Sequence, residues 1–371
     1  MRSTVYLIGA GTGAPDLITL RGYRCLQRAD VVIYDHLVNP RLLEWAKSSA
    51  ERIDVGNAVP QQSDQEAICY LLAEKAREGK SVARLKWGDP FLFDQGGEEA
   101  LFLHEQGIQF EVIPGVPAAI GATAHAGIPI TYPGSGDTVT ILRGHEEEGR
   151  DRSRVDWKSM AGLDGTIVCY AGPKQLPKMI DALLAHGRPA DETAAVIVNG
   201  TLPSQRTTTG SLAELKQSVR EHTVSGPALL VIGKVVGFRE HLRWFDARPL
   251  FGRSVVVMRA HEHADDLIDL LEGQGGTVIV ESDTALDIYG MLLDRKIDLV
   301  AFASGAAILE FAAKYGADQA ADLLSHTAVA IVGAAAHDAA ARANLTPVIH
   351  LPTGTTAAFV EAIATHFRGT K

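Results

Sequence analysis

Short runs of Val, Ile, Leu and Ala, each closed by Gly, Pro, Asp or Asn, alternate along the chain with segments whose apolar residues recur every three or four positions. Such short, wholly apolar runs read as strands covered on both faces, and the segments between them read as amphipathic helices. The pattern therefore predicts an α/β protein built largely on parallel sheet. Val5–Ile8 is the first strand and runs into Gly9-Ala10-Gly11-Thr12-Gly13. A helix follows, with Asp16 as its expected cap and Leu17, Leu20, Tyr23 and Leu26 as its apolar positions. Ala29–Asp35 is a second strand with an acid at its end, helices are expected over Pro40–Lys47 and Gln65–Glu78, and strands over Ser81–Leu85 and Gln109–Ile113. The small residues of Ala118–Ala126 suit a helix packed closely beneath a loop.

A new run begins at Thr138–Leu142 and is closed by Arg143-Gly144-His145-Glu146. The charge-rich stretch from Glu147 to Asp156 reads as a surface connection between two lobes. Beyond it, strands at Thr166–Tyr170, Ala194–Val198, Thr207–Ser211 and Ala228–Val235, with a helix over Gln175–His186, predict a mixed sheet. Asp246-Ala247-Arg248-Pro249 reads as a linker. Five further strands, Ser254–Arg259, Thr277–Glu281, Asp298–Ser304, Ala328–Gly333 and Val348–Leu351, alternate with five helical patterns and predict a flavodoxin-like parallel sheet. The expected domains are 1–146, 147–246 and 252–371.

At 371 residues the chain is too long for one ordinary domain, and 46% apolar residues suffice for more than one core. A net charge of -10 argues against a nucleic-acid partner, and an acidic ligand would have to be met by local basic residues. No apolar run is long enough for a membrane span, and the N-terminus enters a strand without signal-peptide architecture. Cys25, Cys69 and Cys169 sit in periodic segments without metal-ligand spacing, which suits small buried side chains in a reducing cytoplasm.

Candidate chemistry concentrates at strand ends. A G-x-G after the first strand with an acid some 20 residues on is compatible with a dinucleotide site, but Ala14-Pro15 stands where the third glycine and the helix should begin. Two further loops, Trp87-Gly88-Asp89-Pro90 and Pro114-Gly115-Val116-Pro117, follow apolar runs and flank one helix-like segment, Gly97–Gln106, so they are expected to share a crevice.

The stretch Arg84-Leu85-Lys86, Gly88-Asp89-Pro90-Phe91, Gly96-Gly97-Glu98-Glu99, Pro114-Gly115-Val116 and Ala126-Gly127-Ile128-Pro129 resembles the uroporphyrinogen-III C-methyltransferases of the tetrapyrrole methylase superfamily, over roughly residues 3–246. The resemblance implies a two-lobed tetrapyrrole methylase fold that clamps S-adenosyl-L-methionine, with S-adenosyl-L-homocysteine as product. It implies a homodimer that methylates uroporphyrinogen III to precorrin-2. It makes Asp35, in Tyr34-Asp35-His36-Leu37-Val38, the candidate base. Cofactor contacts are expected from Gly9, Gly11, Thr12, Gly13, Trp87, Gly88, Asp89, Leu92, Pro117, Ala118, Ala171 and Gly200, and substrate contacts from Arg84, Lys86, Glu98 and Arg143. No metal is expected.

Departures from the family pattern fall at the site: Thr12 for Pro, Asn57 for Lys, Trp87 for Gly, Gln95 and Pro133 for Arg, Pro117 for Thr, and Ala171 for Met. Arginine is the natural fork for a substrate carboxylate, and each such bond is worth about 1.5–3 kcal/mol. The departures therefore weaken the substrate side more than the cofactor side, and leave as alternatives another tetrapyrrole acceptor or a binding protein without turnover. Residues 252–371 resemble part of uroporphyrinogen-III synthase through Gly252–Arg259, Phe302-Ala303-Ser304-Gly305, Ala330–Gly333 and Thr353–Thr356. A complete synthase uses a cleft between two such domains, so this single one is expected to be inactive on its own.

Overall fold

The computed structural model describes residues 3–58, 65–144, 155–221, 224–258, 264–281 and 287–369. The chain forms two compact units, Met1–Arg243 and Trp244–Lys371.

The first unit holds two five-stranded sheets. In the first, β1 (Val5–Gly9), β2 (Val31–Tyr34), β3 (Glu51–Asp54), β4 (Val82–Lys86) and β5 (Phe110–Ile113) lie in the order β3-β2-β4-β1-β5, all parallel. The two faces bury separate clusters, Ile8, Val32, Ala83, Leu85 and Ile113 on one side and Val5, Leu7, Val82, Ala100 and Leu103 on the other. Side chains alternate along a strand, so Arg84 and Lys86 fall on the Val82 face, beneath the helix Gly96–Glu105. β3 has no counterpart in the sequence reading, because Glu-Arg-Ile-Asp at a sheet edge carries one apolar residue. The first helix also differs. Pro15–Leu17 is a single 3₁₀ turn, and the α-helix Leu20–Leu26 is capped by Thr19, whose side chain accepts from the Gly22 amide. Asp16 is not the cap.

The second sheet comprises β6 (Val139–Arg143), β7 (Thr166–Ala171), β8 (Thr193–Val198), β9 (Arg206–Ser211) and β10 (Ala228–Ile232), ordered β6-β7-β10-β8-β9. Only β6 and β7 run parallel. β6, read from the sequence as the end of the first lobe, thus belongs to the second sheet. The helix Ala118–His125 packs Ala118, Ala119 and Ala122 against Val168, Ala195, Ile197 and Val231 of that sheet, joining the lobes through one apolar cluster.

The second unit is a parallel sheet of β11 (Ser254–Met258), β12 (Thr277–Val280), β13 (Leu299–Phe302), β14 (Ala328–Val332) and β15 (Ile349–Leu351), ordered β12-β11-β13-β14-β15. That order is the flavodoxin-like one. Apolar clusters fill both faces. Among the described residues no helix is long and apolar enough to cross a membrane.

Candidate functional site

Three loops leave the carboxyl ends of β1, β4 and β5 side by side. Gly11 and Gly88 pair as an isolated antiparallel bridge, with the Gly88 amide donating to the Gly11 carbonyl at 2.8 Å. A Cβ on Gly9 would lie 2.4 Å from the Gly115 nitrogen, and one on Gly115 would lie 2.1 Å from the Gly88 oxygen, so three backbones touch where any side chain would part them. Asp89 fastens the same junction. Its Oδ2 accepts from the Gly115 amide at 3.0 Å and its Oδ1 from the Phe91 amide at 2.9 Å.

Above this junction, between the lobes of the first unit, lies a cavity of about 560 Å³. From the first lobe it is lined by Asp35, Trp87, Gly88, Asp89 and the successive residues Leu92, Phe93 and Asp94. The second lobe closes it with Tyr170, Ala171 and the Gly226–Ala228 loop. Phe93 has φ 57°, the left-handed region that a non-glycine residue avoids, and its ring meets Tyr170 edge-on at 5.4 Å. That turn brings three consecutive side chains to one wall. A smaller pocket of about 180 Å³ is lined by Thr12, Gly13, Asn199, Gly200 and Leu202, and shares Leu37, Trp87, Ala118, Pro227 and Ala228 with the larger. Thr201 clasps the lobes beside it, accepting from the Ala14 amide at 2.9 Å and donating to the Thr12 carbonyl. The Ala119 amide, free at its helix start, donates to the Tyr170 hydroxyl at 3.0 Å.

Behind the cavity wall runs a buried chain of charges. Arg84 and Lys86 are 1% exposed and Glu99 is fully buried, whereas Asp35 and Asp94 are 26% and 22% exposed. Arg84 Nη2 lies 2.5 Å from Asp35 Oδ1 and Arg84 Nε 3.1 Å from Glu99 Oε1. Lys86 Nζ lies 2.8 Å from the same Glu99 oxygen and 3.1 Å from Asp94 Oδ1. Gln65 also donates to Glu99 Oε1 at 3.2 Å. Burial pulls the Arg84 guanidinium down, but the Glu99 and Asp35 carboxylates prevail and it is raised. Asp94 is pushed up to about 6, first by burial, against the pull of Lys86 and with a push from Asp35.

Most of the expected cofactor residues thus meet at one cleft: Trp87, Gly88, Asp89, Leu92, Pro117, Ala118 and Ala171 in the larger cavity, and Thr12, Gly13 and Gly200 in the smaller. Gly9 and Gly11 lie beneath, in the loop junction, and Asp89 spends both oxygens on backbone amides. The expected substrate residues are placed differently. Arg84 and Lys86 are internal cations engaged by Asp35, Glu99 and Asp94, so they offer no charge to a ligand, a correction whose cause is their position inside a doubly covered strand. Glu98 is exposed on the outer side of its helix, while Glu99 faces inward with Ala100 and Leu103. Arg143 lies at the end of β6 and lines neither cavity. Among the described residues, none of those lining the larger cavity is Lys or Arg. Of the departures, Ala171 lines the cavity, Gln95 precedes the helix Gly96–Glu105 and Pro133 is exposed in a turn; the side chain of Asn57, like His145, falls outside the described residues. Asp94 and Glu99 were not among the expected residues. The inward stripe of Glu99, Ala100 and Leu103 carried a signal for the latter, and nothing in the sequence marked Asp94. Cys69 and Cys169 are buried, and burial pushes their thiols up to about 11 and about 12. Among the described residues no group of three or more His, Cys, Asp or Glu could hold a metal.

A family model described as Tetrapyrrole (Corrin/Porphyrin) Methylases matches residues 4–216. Over 247 residues the chain is 46% identical to a siroheme synthase of Pseudomonas fluorescens (strain SBW25), covering 65% of this chain and 52% of that one. Over 277 residues it is 39% identical to a uroporphyrinogen-III C-methyltransferase of Bacillus subtilis (strain 168), covering 74% and 57%. The chain spans about half the length of the curated relatives it matches. A solved uroporphyrin-III C-methyl transferase from Thermus thermophilus, complexed with S-adenyl homocysteine, superposes with a TM-score of 0.55 at 36% identity, covering 63% of this chain and 99% of that one. A solved cobalt precorrin-4 methyltransferase gives 0.57 at 27% identity, covering 63% and 95%.

Proposed function

The chain belongs to the tetrapyrrole (corrin/porphyrin) methylases, and from that premise we propose that its first unit transfers methyl groups from S-adenosyl-L-methionine to carbon atoms of uroporphyrinogen III, giving precorrin-2. The observation that carries this reading is the two-chambered cleft, into which glycine loops of both lobes converge. Its residues fit the cofactor. Leu92, Phe93, Pro117, Ala118 and Ala171 make an apolar wall suited to a flat base, while the bare backbones of Gly88, Gly13 and Gly200 suit polar groups. Asp35 and Asp94, with Trp87 and Tyr170, suit a sulfonium cation. When bound, the cofactor supplies a methyl group on a cationic sulfur that leaves as a neutral thioether. The protein's part is to hold donor and acceptor in near-attack geometry, to exclude water and to manage the acceptor's charge. Asp35 supplies negative charge at the wall and is held in place by Arg84.

We further infer that the protein works as a homodimer in the cytoplasm, that the working segments are 1–146, 147–246 and 252–371 with β6 going to the second lobe, and that the synthase-like second unit has no cyclising activity of its own. The test is incubation with labelled S-adenosylmethionine and enzymatically made uroporphyrinogen III, alongside calorimetry with S-adenosylhomocysteine. Methyl incorporation and one bound ligand per chain are expected; no incorporation together with no binding at millimolar concentration overturns the reading.

A further inference from the structure

Three carboxyls, Asp35, Glu99 and Asp94, face two cations, Arg84 and Lys86, in one continuous array. One carboxyl therefore lacks a counter-charge of its own. Glu99 is wholly buried, and its Oε1 receives Arg84, Lys86 and Gln65 together. Protonating it would leave two buried cations short of an anion. Protonating Asp35 would likewise take from Arg84 the partner it holds at 2.5 Å. Asp94 stands at the other end. Lys86 and the Gln95 amide occupy its Oδ1, while its Oδ2, like the Oε2 of Glu99, is buried without a hydrogen-bond partner among the described residues; of the two, Asp94 alone lines the cavity, and it meets one cation where Glu99 meets both. A proton on the Asp94 carboxylate brings the array to neutrality. Among the described residues, the other titratable groups lining the cavity are Asp89, which accepts from two backbone amides, Tyr170, whose hydroxyl accepts from the Ala119 amide, and His36, which lies 3.9 Å from Asp54.

Resting on the methyl-transfer reading, we propose that Asp94 is a catalytic residue of this site, the carboxylate that takes up the proton released by the acceptor, while Asp35 remains the fixed negative charge locked against Arg84. This moves proton uptake from Asp35, where the sequence resemblance puts it, to its neighbour on the cavity wall. The balance is closed. The acceptor's π electrons form the new carbon–carbon bond, the methyl–sulfur bond breaks with its electron pair returning to sulfur, and the acceptor is left cationic. Loss of a proton from its carbon framework to the Asp94 carboxylate, whose side chain lines the cavity and is 22% exposed, restores neutrality, and the protonated Asp94 then returns the proton to water through the cavity. The left-handed turn at Phe93 is the device that presents Asp94 to this wall, and burial has already brought its affinity for a proton near the working range of a general base.

Two measurements test this on the full-length protein. In the first, aspartate carboxyls labelled with ¹³C are titrated by NMR, without cofactor, in wild type and Asp94→Asn. One resonance with a midpoint near 6 that vanishes in the variant is expected; a midpoint for Asp94 below about 4.5 overturns the proposal. In the second, methyl transfer is followed against pH in wild type, Asp94→Asn and Asp35→Asn, with S-adenosylhomocysteine affinity as the control for folding. The wild-type kcat should rise with pH through about 6 and level off. Asp94→Asn should lower kcat by about 10²-fold or more and abolish that rise, with affinity for S-adenosylhomocysteine, whose sulfur is uncharged, little changed. Asp35→Asn should be slow yet keep the rise. If Asp94→Asn keeps both rate and rise while Asp35→Asn loses the rise, the proton goes to Asp35 and the proposal falls. If wild type binds S-adenosylhomocysteine but methylates nothing, the functional reading fails first, and the role of Asp94 in that reaction fails with it.

Discussion

The first sheet of the first unit and the sheet of the second unit have the same number of strands, all parallel, yet their centres are chemically opposite. β4, in the middle of the first sheet, buries Arg84 and Lys86 between its apolar residues. β11 and β13, at the centre of the second unit, read Ser-Val-Val-Val-Met and Leu-Val-Ala-Phe, and Thr327 is the sole buried polar residue of that unit among those described. Desolvating a charge costs several kcal/mol unless geometry and partners compensate, and an apolar filling of the same volume usually serves stability better. The contrast teaches that β4 carries its cations for the sake of the cavity beside it. Among the described residues of the second unit no Lys or Arg is buried.

The largest effect that could break this contrast comes from Glu99→Gln. Removing the shared anion should destabilise the first unit by about 3–5 kcal/mol. Phe302→Ala in the second unit should cost a similar ~3–5 kcal/mol through a cavity. Denaturation followed alongside calorimetry separates them, because only the Glu99 change should weaken S-adenosylhomocysteine binding. Equal loss of affinity in both variants would erase the distinction between the sheets. Next comes Asp35→Asn, expected to lower methyl transfer by about 10²–10³-fold through loss of a preorganised charge, with affinity for S-adenosylhomocysteine nearly unchanged; unaltered turnover would reduce Asp35 to a partner for Arg84.

A smaller effect sharpens the comparison from the side of stability. Asp94 in the folded protein sits at about 6, above the ordinary 3.8 of an aspartyl group, so the folded state holds that proton more tightly than the unfolded chain. The stabilisation is complete below pH 4 and is lost as pH rises through about 6. Asp94→Asn should therefore have a higher Tm than wild type at pH 8, with the gap closing between pH 6 and pH 4. A gap independent of pH would mean the variant acts through packing. The smallest expected effect is none: given hydroxymethylbilane, the full-length protein should yield only the type I isomer of the uncatalysed ring closure, and type III product above background would show the second unit to be active.

Where period and composition decide the outcome, the fold was open to reading. The strands of both parallel sheets follow from apolar runs, and the convergence of the loops after β1, β4 and β5 follows from glycine and proline at their ends. β3 was hidden because an edge strand can be mostly charged; β6 was visible as a run, but its sheet was not, because pairing between distant segments leaves no local mark. At the site, the residues expected to offer backbone or bulk to a cofactor meet at one cleft, while Arg84 and Lys86, expected at a substrate, are buried in ion pairs. An Arg and a Lys two positions apart in an apolar strand look like ligands for an anion; only the inward Glu99, fifteen residues from Arg84, shows that the anion is internal. Asp94 depends on the turn at Phe93, a backbone angle that no side-chain pattern announces.

The clasp between the lobes has a consequence for time. The amides of Ala14 and Ala119 belong to the first lobe, yet their hydrogens are bonded to side chains of the second, Thr201 and Tyr170. Neither bond is part of a helix or strand ladder, so neither hydrogen needs the sheets to melt before it can exchange with deuterium. Each needs only that the jaws separate. Their exchange rates thus clock the opening through which any ligand enters and leaves, and a bound ligand that bridges both lobes should slow those two hydrogens together while leaving the amides of β11 and β13 untouched.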